Sequence, residues 1–242
     1  MSDGIYSALS GAIAQERTLA VVANNVANTQ THGYQADQVI FGEFVANSQA
    51  AAAPTSLRYV TIDRIGRDAQ AGSLEQTGGA LDLALQGEGY FAVETPAGER
   101  YTRSGSFVTD AEGTLRSHSG LAVLGEAGPI TISKDAKQVR IGADGQVQAD
   151  GQTVGKLKVV RFDTADALVK EGLTLLKQQG GTALSAENTT VEQGYLESAN
   201  VNAVGGMTEL ITVSRSFEAF QKLIETFRQL DERTARDIAG RG

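Results

Sequence analysis

The sequence predicts an α+β fold: N- and C-terminal helices pairing as a coiled-coil layer, with an inserted all-β domain, barrel- or sandwich-like. Three observations predict it. Apolar residues recur every seven positions over 4–28, and they alternate at steps of three and four over 207–238. Between these stretches, over 73–184, glycine turns follow one another closely and separate short apolar runs.

The first helix rests on Ile5, Ala12, Leu19 and Val26, with Ala8, Leu9 and Val22 on the same side. The seam is rich in alanine, which buries little area but lets a second helix approach closely. Such a helix is marginal in water until a neighbour covers it. The segment from Ala23 to Tyr34 ends the helix. Asn24, Asn25 and Asn28 compete with the backbone for hydrogen bonds, and Gly33, before Tyr34, can adopt the left-handed conformation that a turn requires. On that reading asparagine should replace Gly33 acceptably, and valine should not.

Residues 35–72 read as an extended connector with a hairpin, short strands at 39–41 and 44–45 flanking Gly42, and an exposed loop at 50–54. The β domain, 73–184, contains the runs Leu81 to Leu85, Tyr90 to Val93, Leu121 to Leu124 and Leu157 to Val159. Many short strands with glycine turns indicate a barrel or sandwich that holds the main core. Residues 185–206 read as a returning connector, in which Asn200 or Asn202 can cap the last helix. Residues 207–242 form that helix, with Leu210, Val213, Phe217, Phe220, Ile224 and Phe227 along its seam. Glu218 precedes Lys222 by four residues and Glu232 precedes Arg236 by four, pairs suited to an exposed helix face. Gly205-Gly206 leaves open whether the helix starts there or a hinge precedes it, since each glycine costs about 1 kcal/mol relative to alanine.

Composition narrows the function classes. The net charge of −8 argues against a nucleic-acid partner, and the absence of cysteine excludes disulfides and thiolate metal sites. No apolar run reaches the ~18 residues of a membrane span. The first positive charge is Arg17, so a cleaved secretory signal is not expected. Catalytic constellations are missing: His32 and His118 stand apart from any ligand or nucleophile pattern. Gly87-Glu88-Gly89 lacks a third glycine and joins two strands, so it fails as a dinucleotide loop. No enzyme activity, cofactor or metal is expected.

Three strings, in order along the chain, resemble the flagellar basal-body rod and hook family of axial proteins. The first is Ala23-Asn24-Asn25-Val26-Ala27-Asn28-Thr29 with Thr31-His32-Gly33-Tyr34. The second runs from Gly72-Ser73-Leu74 through Thr77 to Leu85, then Gly87 to Phe91, Tyr101 to Phe107 and Asp110 to Gly113. The third is Gly194 to Asn202, followed by a helix containing Arg215-Ser216-Phe217-Glu218 and Lys222. The resemblance implies a non-enzymatic subunit of the rod, the drive shaft that carries torque across the periplasm. It further implies export through the flagellar type III apparatus without signal cleavage. Its partners would be other copies and other rod proteins, met through the terminal helices of an inner coiled-coil layer. The assembly residues would then be Ile5, Leu9, Ala12, Leu19, Val22, Val26, Leu210, Val213, Phe217, Phe220, Ile224 and Phe227. Length and layout are most similar to the proximal-rod members. The distal-rod members are the alternative, and a secreted β-domain adhesin oligomerised by helices is the alternative of another class.

Overall fold

The computed structural model describes residues 2–46, 57–186 and 188–239; the loop expected at 50–54 lies outside them. The chain is α+β and divides into two compact units.

The helical unit lies within residues 1–27, 37–66 and 202–242. It holds helix α1, Ser2–Ala27, and helix α2, Ala203–Ala239. Strands Asp37–Ala46 and Leu57–Arg67 pair as a two-stranded ribbon, so one long strand replaces the two short ones expected around Gly42. Helices α1 and α2 pack on each other and run antiparallel: Val26 meets Gly206, Gly11 meets Phe220, and Gly4 meets Phe227. Helix α2 passes through Gly205-Gly206 without interruption. The Asn202 side chain accepts the Gly205 amide at 2.9 Å, an N-cap that starts the helix at Ala203, four residues earlier than the apolar rhythm indicates.

The β unit comprises Asn28–Ala36 and Arg67–Val201, reaching beyond 73–184 on both sides. Its largest sheet is antiparallel and has ten strands. Their main path runs Leu168–Lys170, Leu175–Gln178, Gly98–Thr102, Tyr90–Thr95, Ala122–Gly125, Leu115–Ser117 and Phe107–Thr109. Tyr90–Thr95 is its central strand, and alternate side chains leave it in opposite directions. Phe91 and Val93 enter one core with Leu83, Leu85, Phe107, Leu115, Val123 and Val147. Tyr90 and Ala92 enter a second with Tyr101, Val160, Leu168 and Leu176. Two cores explain why this run is continuously apolar rather than alternating.

The expected returning connector contains strands. Thr190–Gln193 pairs antiparallel with Leu83–Gln86, and Tyr195–Glu197 pairs with Leu74–Gln76. Leu184–Ser185, where the expected β domain meets the expected connector, pairs with residues of Val159–Arg161. These strands are short, each placed by its backbone pairing, with Val191 and Leu196 as the buried apolar anchors of Thr190–Gln193 and Tyr195–Glu197, so their composition resembles a loop.

Candidate functional site

Two regions gather the residues singled out by the sequence. The first is the helix pair. Where α1 and α2 meet, large side chains face glycine. A β-carbon at Gly11 would lie 2.5 Å from Phe220 Cε1, one at Gly4 3.0 Å from Phe227 Cζ, and one at Gly206 2.7 Å from Val26 Cγ2. Gly4 and Gly11 stand seven residues apart, as do Phe227 and Phe220, so each aromatic ring has its own glycine seat. In the sequence close approach reads from the alanines; in the structure these glycines also provide it, and their seven-residue spacing is the signal for it. Ala8, Ala12, Val22 and Val213 are buried, whereas Ile5, Leu19, Val26, Leu210, Phe217, Phe220, Ile224 and Phe227 are half-buried. Leu9 is exposed, as are Tyr6, Ile13, Met207, Ile211 and Leu223. Glu218, Lys222, Glu232 and Arg236 lie on the exposed surface of α2.

Near the end of α1, Asn24 is exposed and Asn25 is half-buried. Asn25 makes two hydrogen bonds to one residue of the first strand. Its Nδ2 donates to the Asp37 carbonyl at 2.9 Å, and its Oδ1 accepts the Asp37 amide at 2.8 Å. A side-chain amide thus pairs with backbone in the manner of a neighbouring strand.

The second region is the signature turn, Asn28–Ala36, which belongs to the β unit. Gly33 does not cap α1, which ends at Ala27. It has φ +71°, the left-handed region, and its amide donates to the Glu197 carbonyl at 2.7 Å. A β-carbon there would lie 2.5 Å from Ser104 Cα and 2.6 Å from the Arg103 carbonyl carbon. This backbone contact overturns the expectation that asparagine would serve at position 33: it satisfies φ but still carries the β-carbon. Tyr34 is buried, with Lys170 Nζ 3.8 Å from its ring centroid, and that ammonium also donates to the Gln35 carbonyl at 2.8 Å. Asn28 is buried as well, and its Oδ1 accepts from Thr31 Oγ1.

Beneath the turn, Glu197 and Arg103 form a buried ion pair, Nε to Oε2 at 2.8 Å, with the side chains 2% and 4% exposed. Glu197 Oε1 accepts the Gly72 amide at 3.1 Å. Arg103 Nη1 donates to the carbonyls of Gly87 at 3.0 Å and Gly89 at 2.6 Å. The Gly87-Glu88-Gly89 loop therefore turns carbonyl oxygens onto an arginine, an arrangement that holds a cation and repels phosphate. Burial pushes the Glu197 carboxyl above its ordinary range, against the opposing pull of Arg103 and the Gly72 amide. Neither Arg103 nor Glu197 was selected from the sequence as a site residue. Their signal was their place inside the second and third resemblance strings.

His118 is exposed, its Nδ1 3.3 Å from Ser106 Oγ. Among the described residues no cluster of three metal-ligating side chains occurs, and no helix is long and apolar enough to cross a membrane.

Three family models match the chain. They are "Flagella basal body rod protein" over residues 5–35, "Flagellar hook protein FlgE/F/G D1 domain" over 84–149, and "Flagellar basal body rod FlgEFG protein C-terminal" over 192–237. Among curated relatives, the flagellar basal-body rod protein FlgF of Caulobacter vibrioides is 34% identical, covering 95% of each chain. FlgF of Rhizobium meliloti is 32% identical over 90% of each. FlgG of Bacillus subtilis is 34% identical over 93% of this chain and 95% of its own. These names do not support the adhesin alternative. With the matches spanning both helices and the β unit, the chain belongs to the flagellar basal-body rod protein family, within which it is FlgF-like.

Proposed function

We propose that this chain is a structural, non-enzymatic subunit of the proximal rod. It assembles helically with further copies and with other rod proteins through its terminal helices. The array spans the periplasm and transmits torque, and the flagellar type III apparatus delivers the chain to it. The supporting observation is how the helix pair uses its apolar residues. Phe220, Phe227 and Val26 are spent on the glycines of the facing helix, yet Tyr6, Leu9, Ile13, Met207, Ile211 and Leu223 stay exposed. Exposed apolar side chains along both helices are the surface this pair offers to further copies. A head-to-tail contact that does not close on itself extends into a filament. Of the twelve assembly residues expected from sequence, those facing the glycines serve the pair itself. Leu9 belongs with the outward set, together with the exposed residues just named.

The test is Ile211→Asp, alone and with Leu9→Asp. Both positions are exposed, so the monomer should melt as wild type does and still be exported. It should fail to enter basal bodies and leave the cells non-motile. Normal motility with both aspartates present would sink this assignment.

A further inference from the structure

We propose that residues 28–36 and 194–200 form a clasp pinned by Glu197, and that the β unit closes only when both segments are seated. The inference does not depend on the rod assignment. Glu197 ties four separate stretches together. Its backbone carbonyl takes the Gly33 amide, and its carboxylate takes the Gly72 amide and Arg103 Nε. Through Arg103 Nη1 it reaches the Gly87 and Gly89 carbonyls.

Asn200 repeats the pattern three residues later. Its Oδ1 accepts the Ala36 amide at 2.7 Å, and its Nδ2 donates to the carbonyls of Asp68 at 3.1 Å and Gln70 at 2.9 Å. The strands in the returning segment complete the closure, because Leu83–Gln86 and Leu74–Gln76 take their partners from Thr190–Gln193 and Tyr195–Glu197. Leu83 and Leu85 belong to the main core, so that core lacks one pairing until the returning segment arrives.

Arg103 gives the closure its all-or-none character. It is buried, and its carboxylate partner comes from Glu197, 94 positions further along the chain. A buried guanidinium without a carboxylate is strongly unfavourable, so the packing around Arg103 and the seating of Glu197 must occur together. A buried ion pair adds little raw stability over apolar residues, and its use here is to couple distant segments into one event. The signature turn is therefore a closing part of the β unit, and the chain completes that unit only after residue 200 is in place.

The test is amide hydrogen exchange on the full-length chain. In Glu197→Ala the backbone carbonyl that accepts the Gly33 amide remains, so a merely local role leaves Gly33 protection unchanged. The clasp predicts that Gly33, Gly72 and the Leu83–Gln86 amides all exchange roughly tenfold or more faster. As a control, Glu171→Ala, which removes the partner of Arg100 elsewhere in the unit, should leave Gly33 protection at the wild-type level. If Glu197→Ala does not fold, Asn200→Ala takes its place and should speed exchange at Gly33 as well as at Ala36. Unchanged Gly33 protection in the folded variant overturns the proposal. In pulse-labelled refolding of the wild-type chain, Gly33 and Leu83–Gln86 should gain protection in one kinetic phase. Full protection of those strands before Gly33 also overturns it.

Discussion

The ring of Phe220 rests over Gly11, where even a methyl group would come within 2.5 Å of its Cε1 atom. Glycine in a helix interior costs about 1 kcal/mol relative to alanine, so its presence needs a compensating contact. That contact is the seated ring, which brings α1 and α2 closer than an alanine seam permits.

Gly11→Ala should therefore destabilise the helical unit despite its better helix propensity. Overpacking costs about 1–3 kcal/mol, which outweighs the propensity gain of about 1 kcal/mol. In a Phe220→Ala background the same substitution should become stabilising, because the obstructing ring is gone. A double-mutant cycle on urea unfolding of the helical signal measures this coupling. Additive effects would show that the ring and the glycine do not meet.

The periodicity of both helices was legible because one side of each is apolar along its length, a local signal that needs no knowledge of the partner. The apolar run Tyr90 to Val93 was legible as a strand in the same way, but its burial on both sides was not, because each of its two cores is built from distant strands. The seats at Gly4 and Gly11 left only a seven-residue spacing in the sequence, because which side chain each glycine admits is defined by the facing helix. The clasp was hidden for a similar reason. Ala36 and Asn200 are 164 positions apart, and nothing local in either stretch announces the other. Strands Leu184–Ser185 and Tyr195–Glu197 are two and three residues long, too short for an alternating pattern to show, and their pairing partners lie far away in the chain.

Substitutions at Gly33 should be severe even when small. A non-glycine residue at φ +71° costs about 1–2 kcal/mol, and the β-carbon must also displace the backbone at Arg103 and Ser104. Gly33→Ala and Gly33→Asn should both lower the thermal midpoint of the β unit, with unfolding free energies within about 1 kcal/mol of each other. Asparagine tolerates the left-handed region better, so an asparagine variant with the wild-type midpoint would show that strain alone, and not the backbone contact, excludes side chains.

Acid and neutral pH should act in opposite directions on two groups of carboxylates. Asp110 is held below its ordinary 3.8 by its hydrogen bond from Arg116, aided by the Thr114 and Glu112 amides, and Glu171 is held below 4.5 by Arg100. Their contribution is present above those unfolded values and is lost as pH falls through the lower folded ones. Glu197 is shifted upward from 4.5 by burial, so between its unfolded and folded values the native state binds more protons, and stability falls as pH rises. Glu197→Gln removes only this second slope. Unfolding free energies of wild type and variant, compared from about pH 4.5 to 7, should show the wild-type value declining relative to the variant. A wild-type advantage that grows with pH would mean that Arg103 dominates burial and the shift runs the other way.

Asn25 offers the sharpest separation of hydrogen bonding from packing, because both arms of its amide meet one residue, Asp37. Asn25→Ala removes a donor and an acceptor together and leaves the first residue of strand Asp37–Ala46 without that side-chain partner. Two hydrogen bonds at about 1 kcal/mol each set the scale of the loss at about 1–2 kcal/mol, since the site is half-buried and water replaces part of the interaction. Asn25→Asp is the more informative change. The carboxylate still accepts the Asp37 amide, but it replaces the donated N–H with an oxygen facing the Asp37 carbonyl, so one attraction becomes a repulsion. The aspartate variant should therefore be no more stable than alanine, although it is closer in shape to asparagine. Amide exchange at Asp37 distinguishes the two arms: it should rise in Asn25→Ala and stay nearer to wild type in Asn25→Asp, where its acceptor remains. An aspartate variant as stable as wild type would show that the amide arm contributes nothing and that Asn25 holds the strand through its Oδ1 alone.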